Sequence, residues 1–278
     1  MAVDNTFFIK KLRKKESILV AFCGFTGMPL VVCDPDTFDD QIWVFDNEQQ
    51  LKEFAKPYLE KKVLINGSKI MNKDFLNFFS SLYFIGVNQL VCVNGTEENV
   101  RIELSELVNP PDYSKMKPES RPIMNPGLQL TGIYFMQEAA RPVDNEEKPD
   151  LRDLEEEFSS NIVRSKFLLP IVLQDGPGTI ADKLRQKKYQ TPAVKTKDGS
   201  VYQPIFSDQT ELQKFARGKQ MMALTLPFAA LEKGLPANTK GYMLNPAGYH
   251  AVLTKEVLHA LPRRFPQFTA QGGDTKKA

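Results

Sequence analysis

The chain has few histidines that could act as a general base, and their spacing is not typical of a hydrolase. Nucleophilic catalysis needs a serine or cysteine beside a general base, and a G-x-S-x-G turn is a common signature of such sites. The chain has no such motif, and its two histidines, His250 and His259, are nine residues apart. We therefore expect no catalytic triad and no enzymatic activity.

Glycine motifs that could hold a nucleotide are incomplete. Arg217-Gly218-Lys219 is followed by glutamine and lacks the upstream glycine of a P-loop. The glycines within 24–27 and 176–179 lack the strand, GxGxxG and helix context of a dinucleotide site. We expect no bound nucleotide and no other cofactor.

The three cysteines, Cys23, Cys33 and Cys92, each lie among apolar residues. A zinc site would want paired C-x-x-C spacing or a nearby histidine, and the cysteines have neither. The pattern predicts reduced, buried, structural thiols and no metal site. Two Asn-Gly pairs, at 66–67 and 94–95, indicate turns.

Charge is distributed unevenly along the chain. Residues 1–157 carry 18 basic and 26 acidic side chains, a net charge of −8, whereas residues 158–278 carry 18 and 8, a net charge of +10. We hypothesise that the acidic helix Asp150 to Glu157 meets a basic surface, within one chain or across a dimer. That candidate interaction surface comprises Lys183, Arg185, Lys187, Lys188, Arg217 and Lys219. The alternative is that both faces are simply solvated.

Two basic clusters, Lys10 to Lys15 and Lys183 to Lys188, could contact phosphates. Neither is interleaved with the aromatic residues that stack on bases, so nucleic acid is not the expected partner. No run approaches the roughly 18 apolar residues that span a bilayer, and the first residues lack the apolar core of a signal peptide. We expect a soluble, cytoplasmic protein.

An internal repeat is the strongest indication of the fold. The segment IWVFDNEQQLKEFAK at 42–56 aligns without gaps on QPIFSDQTELQKFAR at 203–217. Each copy predicts a strand followed by a helix, with Asn47 or Asp208 placed to open that helix with a capping box. The repeat predicts an α+β fold of two related modules, each a mostly antiparallel sheet with two to three helices.

Composition sets the predicted boundaries. The first module covers residues 1–108 and the second residues 165–264. The intervening residues 109–164 predict a Pro-rich linker, a strand of alternating pattern around 128–137 and the acidic helix. Residues 265–278, which end in QGGDTKKA, are expected to be disordered.

The second copy resembles the N-terminal domain of SseB-family bacterial proteins, which are named for enhanced serine sensitivity. Residues 165–261 carry the resemblance in four segments: SKFLLPIVLQDG, VYQPIFSDQTELQKFA, LTLPFAALEKGLP and GYMLNPAGYHAVLTKEVLHAL. The first copy, about Ile18 to Val108, is less similar, because Asn94-Gly95 stands where the second copy has Asn245-Pro246. The resemblance implies the fold and brings no catalytic residues.

A non-enzymatic role in protein interaction or regulation is the function that the sequence favours, because a repeated scaffold is present without convergent catalytic residues. The expected partner is another protein or the chain's own acidic half. The alternative is a sensor that holds a small, amino-acid-related molecule between the modules. Its candidate pocket comprises Asp175, Gly176, Tyr242 and Asn245.

Overall fold

The computed structural model of the chain describes residues 5–95, 99–219 and 221–269, without the side chains of residues 119 and 269. The chain divides into two compact units. Unit 1 contains residues 1–121 and 129–154, and unit 2 contains residues 122–128 and 155–278. Each unit combines open sheets with helices, so the predicted α+β class is confirmed.

Unit 1 is built on one mixed sheet. Its strands are β1 (Ser17–Cys23), β2 (Val32–Cys33), β3 (Asp40–Phe45), β4 (Ile65–Met71), β5 (Gln89–Val93) and β6 (Val100–Glu103). Its helices include α1 (Thr6–Arg13), α2 (Glu48–Glu60), α3 (Phe75–Leu82) and α4 (Leu104–Leu107). The strand order is β4-β1-β3-β5-β6, with β2 paired to β3. The pair β3–β5 is parallel and the other pairs are antiparallel.

Two helices of 14 residues follow, α5 (Pro126–Ala139) and α6 (Leu151–Arg164). The acidic helix is confirmed as α6, but the strand predicted around 128–137 is wrong, because this segment lies in α5. Pro126 starts α5 at the first helical position, and the buried Gln129 and Ile133 lie on one face four residues apart. Among the described residues, no helix is long and apolar enough to cross a membrane.

Unit 2 contains two sheets joined by a bridge between Leu168 and Phe206. Its strands are β7 (Lys166–Leu173), β8 (Tyr189–Gln190), β9 (Val194–Lys195), β10 (Val201–Ile205), β11 (Met222–Pro227), β12 (Gly241–Leu244) and β13 (Ala251–Thr254). Its further helices are α7 (Ile180–Arg185), α8 (Gln209–Ala216), α9 (Leu231–Gly234), α10 (Lys255–Arg264) and α11 (Pro266–Thr269). The sheet orders are β13-β12-β10-β9 and β11-β7-β8, and only β10–β12 is parallel. Helix α11 lies where disorder is predicted; residues 270–278 of that stretch are outside the described residues.

The two units share strand order and register. Through the Leu168–Phe206 bridge, unit 2 follows the order β11-β7-β10-β12-β13, which corresponds to β4-β1-β3-β5-β6 in unit 1. Leu19 lies opposite Phe45 in unit 1, as Leu168 lies opposite Phe206 in unit 2. The central parallel pair recurs as well. That the units arose by tandem duplication stays a prediction.

Equivalent aromatic residues build the two cores. Phe45 and Phe206 are fully buried, and the ring centroids of Phe45 and Phe54 are 5.2 Å apart, the same distance as between Phe206 and Phe215. Leu51 lies in α2 and Leu212 in the corresponding helix α8. Each belongs to the same hydrophobic cluster as the buried phenylalanine of its unit. The repeated apolar positions predicted from the sequence therefore form the core of each unit.

One of the two predicted Asn-Gly turns is wrong. Asn66 and Gly67 lie inside β4, where Gly67 pairs with Ala21 of β1. A Cβ atom at Gly67 would overlap Leu51 Cδ2, so glycine makes room for α2 on the strand. Gly95, by contrast, follows β5 with φ 78°, as a turn requires.

The thiols differ in exposure. Cys23 and Cys92 are buried as predicted, and burial raises the pKa of Cys92 to about 12. Cys33 is exposed, so its predicted burial is wrong; it lies on the two-residue strand β2, whose pairing to β3 leaves this side chain outward. Partial desolvation and then the carboxylates of Asp40 and Asp34 raise the Cys33 pKa, which disfavours the reactive thiolate.

Candidate functional site

The four residues of the predicted ligand pocket lie in different settings. Tyr242 is buried in β12 and donates its hydroxyl hydrogen to the Leu231 carbonyl oxygen at 2.9 Å. Asn245 is buried just past the end of β12, whereas Asp175 and Gly176 are exposed just past the end of β7. Because β7 runs antiparallel to β10 and β12 runs parallel to β10, these two strand ends point in opposite directions. The structure does not bring the four residues together.

Asn245 instead fixes the passage from β10 to α8. Its side-chain oxygen accepts a hydrogen bond from the Ser207 backbone N–H at 3.0 Å, and its amide nitrogen donates to Ser207 Oγ at 2.9 Å. Both residues are fully buried. Asn245 has φ 50°, a left-handed conformation that asparagine tolerates better than most residues. This buried pair determines where α8 begins.

Asp208 caps the first turn of α8, as predicted. The capping box predicted at α2 is not formed, because Gln50 Oε1 accepts a hydrogen bond from the Asp46 N–H rather than from that of Asn47. Asp208 Oδ1 accepts hydrogen bonds from the backbone N–H groups of Thr210 and Glu211 at 2.8 and 3.0 Å. Its Oδ2 accepts a hydrogen bond from Ser207 Oγ at 2.8 Å. We call Ser207, Asp208 and Asn245 the buried polar cluster. It satisfies helix donors without solvent and gives α8 a defined position against the sheet.

A groove of about 720 Å³ lies between α8 and the start of β11. Leu212, Ala216, Met221 and Met222 contribute its apolar lining, and Gln209, Gln213 and Lys219 its polar lining. Arg217 and Gly218 have φ values of 50° and 80°, so the chain reverses between the end of α8 and the start of β11. Methionine side chains adapt to differently shaped partners, which suits a binding surface. We call this feature the α8–β11 groove.

Strand β11 forms one edge of its sheet. Among the residues that the structure describes, its strand partner is β7, and it stands at the end of the strand order. Its sequence, MALTLP, has no charged residue, and Met222 is exposed. Edge strands are commonly protected by charged side chains, bulges or a covering element. Strand β11 carries no such charge.

The basic residues predicted as an interaction surface lie at one end of the β7–β11 pair. Met222, at the start of β11, pairs with Ile171 near the end of β7. Three residues beyond Ile171, the Gln174 carbonyl oxygen accepts a hydrogen bond from Lys183 Nζ, and its N–H donates to the Lys188 carbonyl oxygen. We call the following set the basic end: Lys183, Arg185, Lys187, Lys188, Arg217 and Lys219. All are exposed except Lys183, which is half-buried.

Two carboxylates of the acidic helix do not pair with the basic end, as hypothesised for this helix, but with another helix. Glu155 Oε1 and Glu156 Oε2 lie 2.7 and 2.6 Å from the guanidinium of Arg264 in α10. The hydrogen bonds that this guanidinium donates to both carboxylates raise the Arg264 pKa. These two carboxylates therefore pair with α10 rather than with the basic end.

Residues 150–260 match the model of a protein family described as the SseB protein N-terminal domain. Residues 150–260 are thus similar to the SseB N-terminal domain, and we call them the SseB domain. The family resemblance predicted from the second copy is confirmed, and the domain includes the buried polar cluster, the α8–β11 groove and the basic end. No curated protein and no solved structure matches the chain.

Potential metal ligands and the two histidines are the remaining chemically active groups. Among the described residues, no group of three His, Cys, Asp or Glu side chains is placed to hold a metal ion. His250 Nδ1 lies 3.2 Å from the Gly248 carbonyl oxygen, and His259 Nδ1 lies 3.0 Å from Glu232 Oε1. Each histidine therefore contacts an oxygen atom within the SseB domain.

Proposed function

We propose that this chain is a non-enzymatic, cytoplasmic protein-interaction module whose SseB domain binds an acidic partner protein. The observation that carries the proposal is the adjacency of the basic end to the apolar α8–β11 groove. Complementary charge steers encounter and selects partners, whereas apolar contact in a groove supplies most of the affinity. A surface that combines both is typical of a binding site for a protein segment.

Contacts inside the domain support an interaction role over a small-molecule site at the predicted pocket. The Tyr242 hydroxyl and the Asn245 amide, which would have contacted a ligand, are engaged with Leu231 and Ser207. Burial raises the Tyr242 pKa to about 12, so this hydroxyl stays neutral. The sensor role stays a prediction without a specific contact in its favour.

Selection of displayed peptides on the full chain tests the proposal. We expect enrichment of acidic sequences, which should bind about tenfold or more weakly to a variant that loses its close charge pairs. That variant reverses four exposed charges of the basic end: Lys187→Glu, Lys188→Glu, Arg217→Glu and Lys219→Glu.

The matched control reverses four exposed lysines of unit 1: Lys10→Glu, Lys11→Glu, Lys115→Glu and Lys117→Glu. It carries the same change in net charge and should leave peptide binding unchanged. Equal loss in both variants, or selection without acidic enrichment, would contradict the proposal.

A further inference from the structure

The two units protect their corresponding edge strands differently. In unit 1, Lys69 of β4 lies opposite Leu19, and in unit 2, Thr225 of β11 lies opposite Leu168. Because Leu19 and Leu168 occupy the same register position, Thr225 stands where β4 has an exposed lysine. A lysine on an edge strand opposes pairing with a further strand, since its charge would be desolvated. The β11 edge lacks this protection.

We propose that the acidic partner binds by adding an extended strand to the edge of β11. This inference rests on the proposed function, because it describes how the same site holds its partner. Strand addition uses main-chain hydrogen bonds for affinity and pockets for alternate side chains for specificity. Both features are present here, since β11 ends its sheet and the α8–β11 groove lies beside its first residues.

The chemistry of the added strand follows from the surfaces around β11. Neighbouring strands lie about 4.8 Å apart, and successive side chains point to opposite faces. Every second side chain of the partner then faces α8, where Leu212 and Met221 favour apolar groups. The basic end lies at the start of β11, so acidic side chains belong at the part of the segment beside Met222. The partner is an extended segment in which apolar and acidic residues alternate.

Charge disfavours two other occupants of the edge. Pairing of β11 with β11 of a second copy would bring together two domains of the same sign, because residues 158–278 carry a net charge of +10. The chain's last residues, QGGDTKKA, contain two lysines and one aspartate, and so do not complement the basic end either. An acidic segment of another protein complements it.

The test uses the full chain and an acetylated peptide of eight residues in which glutamate and valine alternate. Each peptide bond is N-methylated in turn, which removes one main-chain donor while leaving the side chains unchanged. Strand addition predicts that the effect of methylation alternates along the peptide. Methylation at every second position should weaken binding about tenfold or more, because it removes a main-chain hydrogen bond and introduces a steric clash. Methylation at the intervening positions should have little effect. Hydrogen exchange should slow in β11 and stay unchanged in β4, which serves as an internal control.

The outcomes separate this inference from the proposed function. Binding that depends on the basic end, yet is insensitive to methylation at every position and leaves β11 exchange unchanged, would overturn strand addition alone. Failure of the alternating peptide and of every selected acidic peptide would overturn both. A single-stranded oligonucleotide that displaces the peptide and binds more tightly would identify the basic end as a nucleic-acid surface and would also overturn both. A peptide in which lysine replaces glutamate should not bind.

Discussion

The passage from strand to helix has the same backbone course in both units but a different chemistry. In unit 2, Ser207 and Asp208 are fully buried within the polar cluster. In unit 1 the corresponding Asp46 is partly exposed and pairs with Lys15 Nζ at 2.6 Å. Asn47 caps α2 by accepting a hydrogen bond from the Gln50 N–H at 3.0 Å. The apolar residues are thus shared, whereas the buried polar cluster belongs to the SseB domain.

Register explains why unit 1 lacks this cluster. Phe45 of β3 lies opposite Val93 of β5, and the Asn245 N–H donates to the Ile205 carbonyl oxygen, which places Asn245 opposite Phe206. Val93 therefore stands where unit 2 has Asn245, although the sequence aligned Asn245 with Asn94. Valine offers no side-chain hydrogen bond, so a buried serine beside it would be left unsatisfied. The fold tolerates this exchange because the aromatic core is unchanged.

The largest effect is expected from the shared aromatic core. Phe206→Ala and Phe45→Ala should each destabilise their own unit by about 3–5 kcal/mol, the usual cost of a large cavity at a fully buried phenylalanine. Trp43, the single tryptophan, packs in unit 1, so its fluorescence reports that unit during urea unfolding. Circular dichroism reports both units.

Phe215→Ala is the graded control for this comparison, because Phe215 is only partly buried and should cost less than Phe206. If Phe206→Ala left the unfolding transition unchanged, the equivalence of the two cores would be wrong. In unit 1, Phe45→Ala should correspondingly shift the unfolding transition that Trp43 fluorescence reports to a lower urea concentration.

The next largest effect is expected at Asn245, whose side-chain hydrogen bonds have no counterpart among the described residues of unit 1. Asn245→Ala should destabilise unit 2 by about 1–3 kcal/mol, because buried groups of Ser207 lose their partners. Asn245→Gly removes the same hydrogen bonds but suits φ 50°, so its difference from alanine measures the backbone strain, about 1–2 kcal/mol. Asn94→Ala, at the position aligned by sequence, should stay within about 0.5 kcal/mol. Equal effects at Asn245 and Asn94, measured by urea unfolding, would remove the distinction between the units.

Local patterns were sufficient to predict much of the fold. Phe45, Leu51, Phe206 and Leu212 recur at the same spacing, and helix caps are encoded within a few residues. Strands β4 and β11 were missed, because their pairing with β1 and β7 is a tertiary property. Asn-Gly at 66–67 even indicated a turn, but the backbone hydrogen bonds of β4 override that preference.

The candidate site was only partly predictable. Counting charges identified the basic residues, and the structure places them at one end of the β7–β11 pair. The groove depends on Met221 and Met222 lining the space beside α8 after a reversal at Arg217, and no short motif encodes that arrangement. An uncharged strand sequence directly after a basic turn was the available signal. It becomes informative only when β11 is known to be an edge strand.

A smaller effect tests the register of the edge strands. Gly67 pairs with Ala21, and Ala223 pairs with Pro170 in the corresponding place of unit 2. Gly67→Ala should destabilise unit 1 by about 1–3 kcal/mol, because the new methyl group overlaps Leu51. Ala223→Gly should cost about 0.5–1 kcal/mol through added flexibility alone.

Leu51→Ala in the Gly67→Ala background provides the control, since removing the overlapping side chain should abolish the extra cost. Thermal unfolding of the four combinations measures the coupling. Strict additivity would show that Gly67 and Leu51 do not meet.

The smallest effect concerns the turns before β3 and β10, each of which contains an aspartate with a lowered pKa. Asp198 accepts hydrogen bonds from the hydroxyl groups of Thr196 and Ser200, which lower its pKa to about 2, whereas backbone N–H groups of Asp36 and Thr37 chiefly lower the pKa of Asp34. Because the folded-state pKa of Asp198 lies below the unfolded value of about 3.9, its contribution is fully present above about pH 4 and is lost as the pH falls toward 2. Asp198→Asn should therefore flatten the pH dependence of unfolding in that window, with a small effect because the carboxylate is exposed. Urea unfolding between about pH 2 and pH 5, with Asp175→Asn as an exposed control, measures it. Parallel curves for the Asp198→Asn variant and the unaltered chain would show that this turn does not respond to acid.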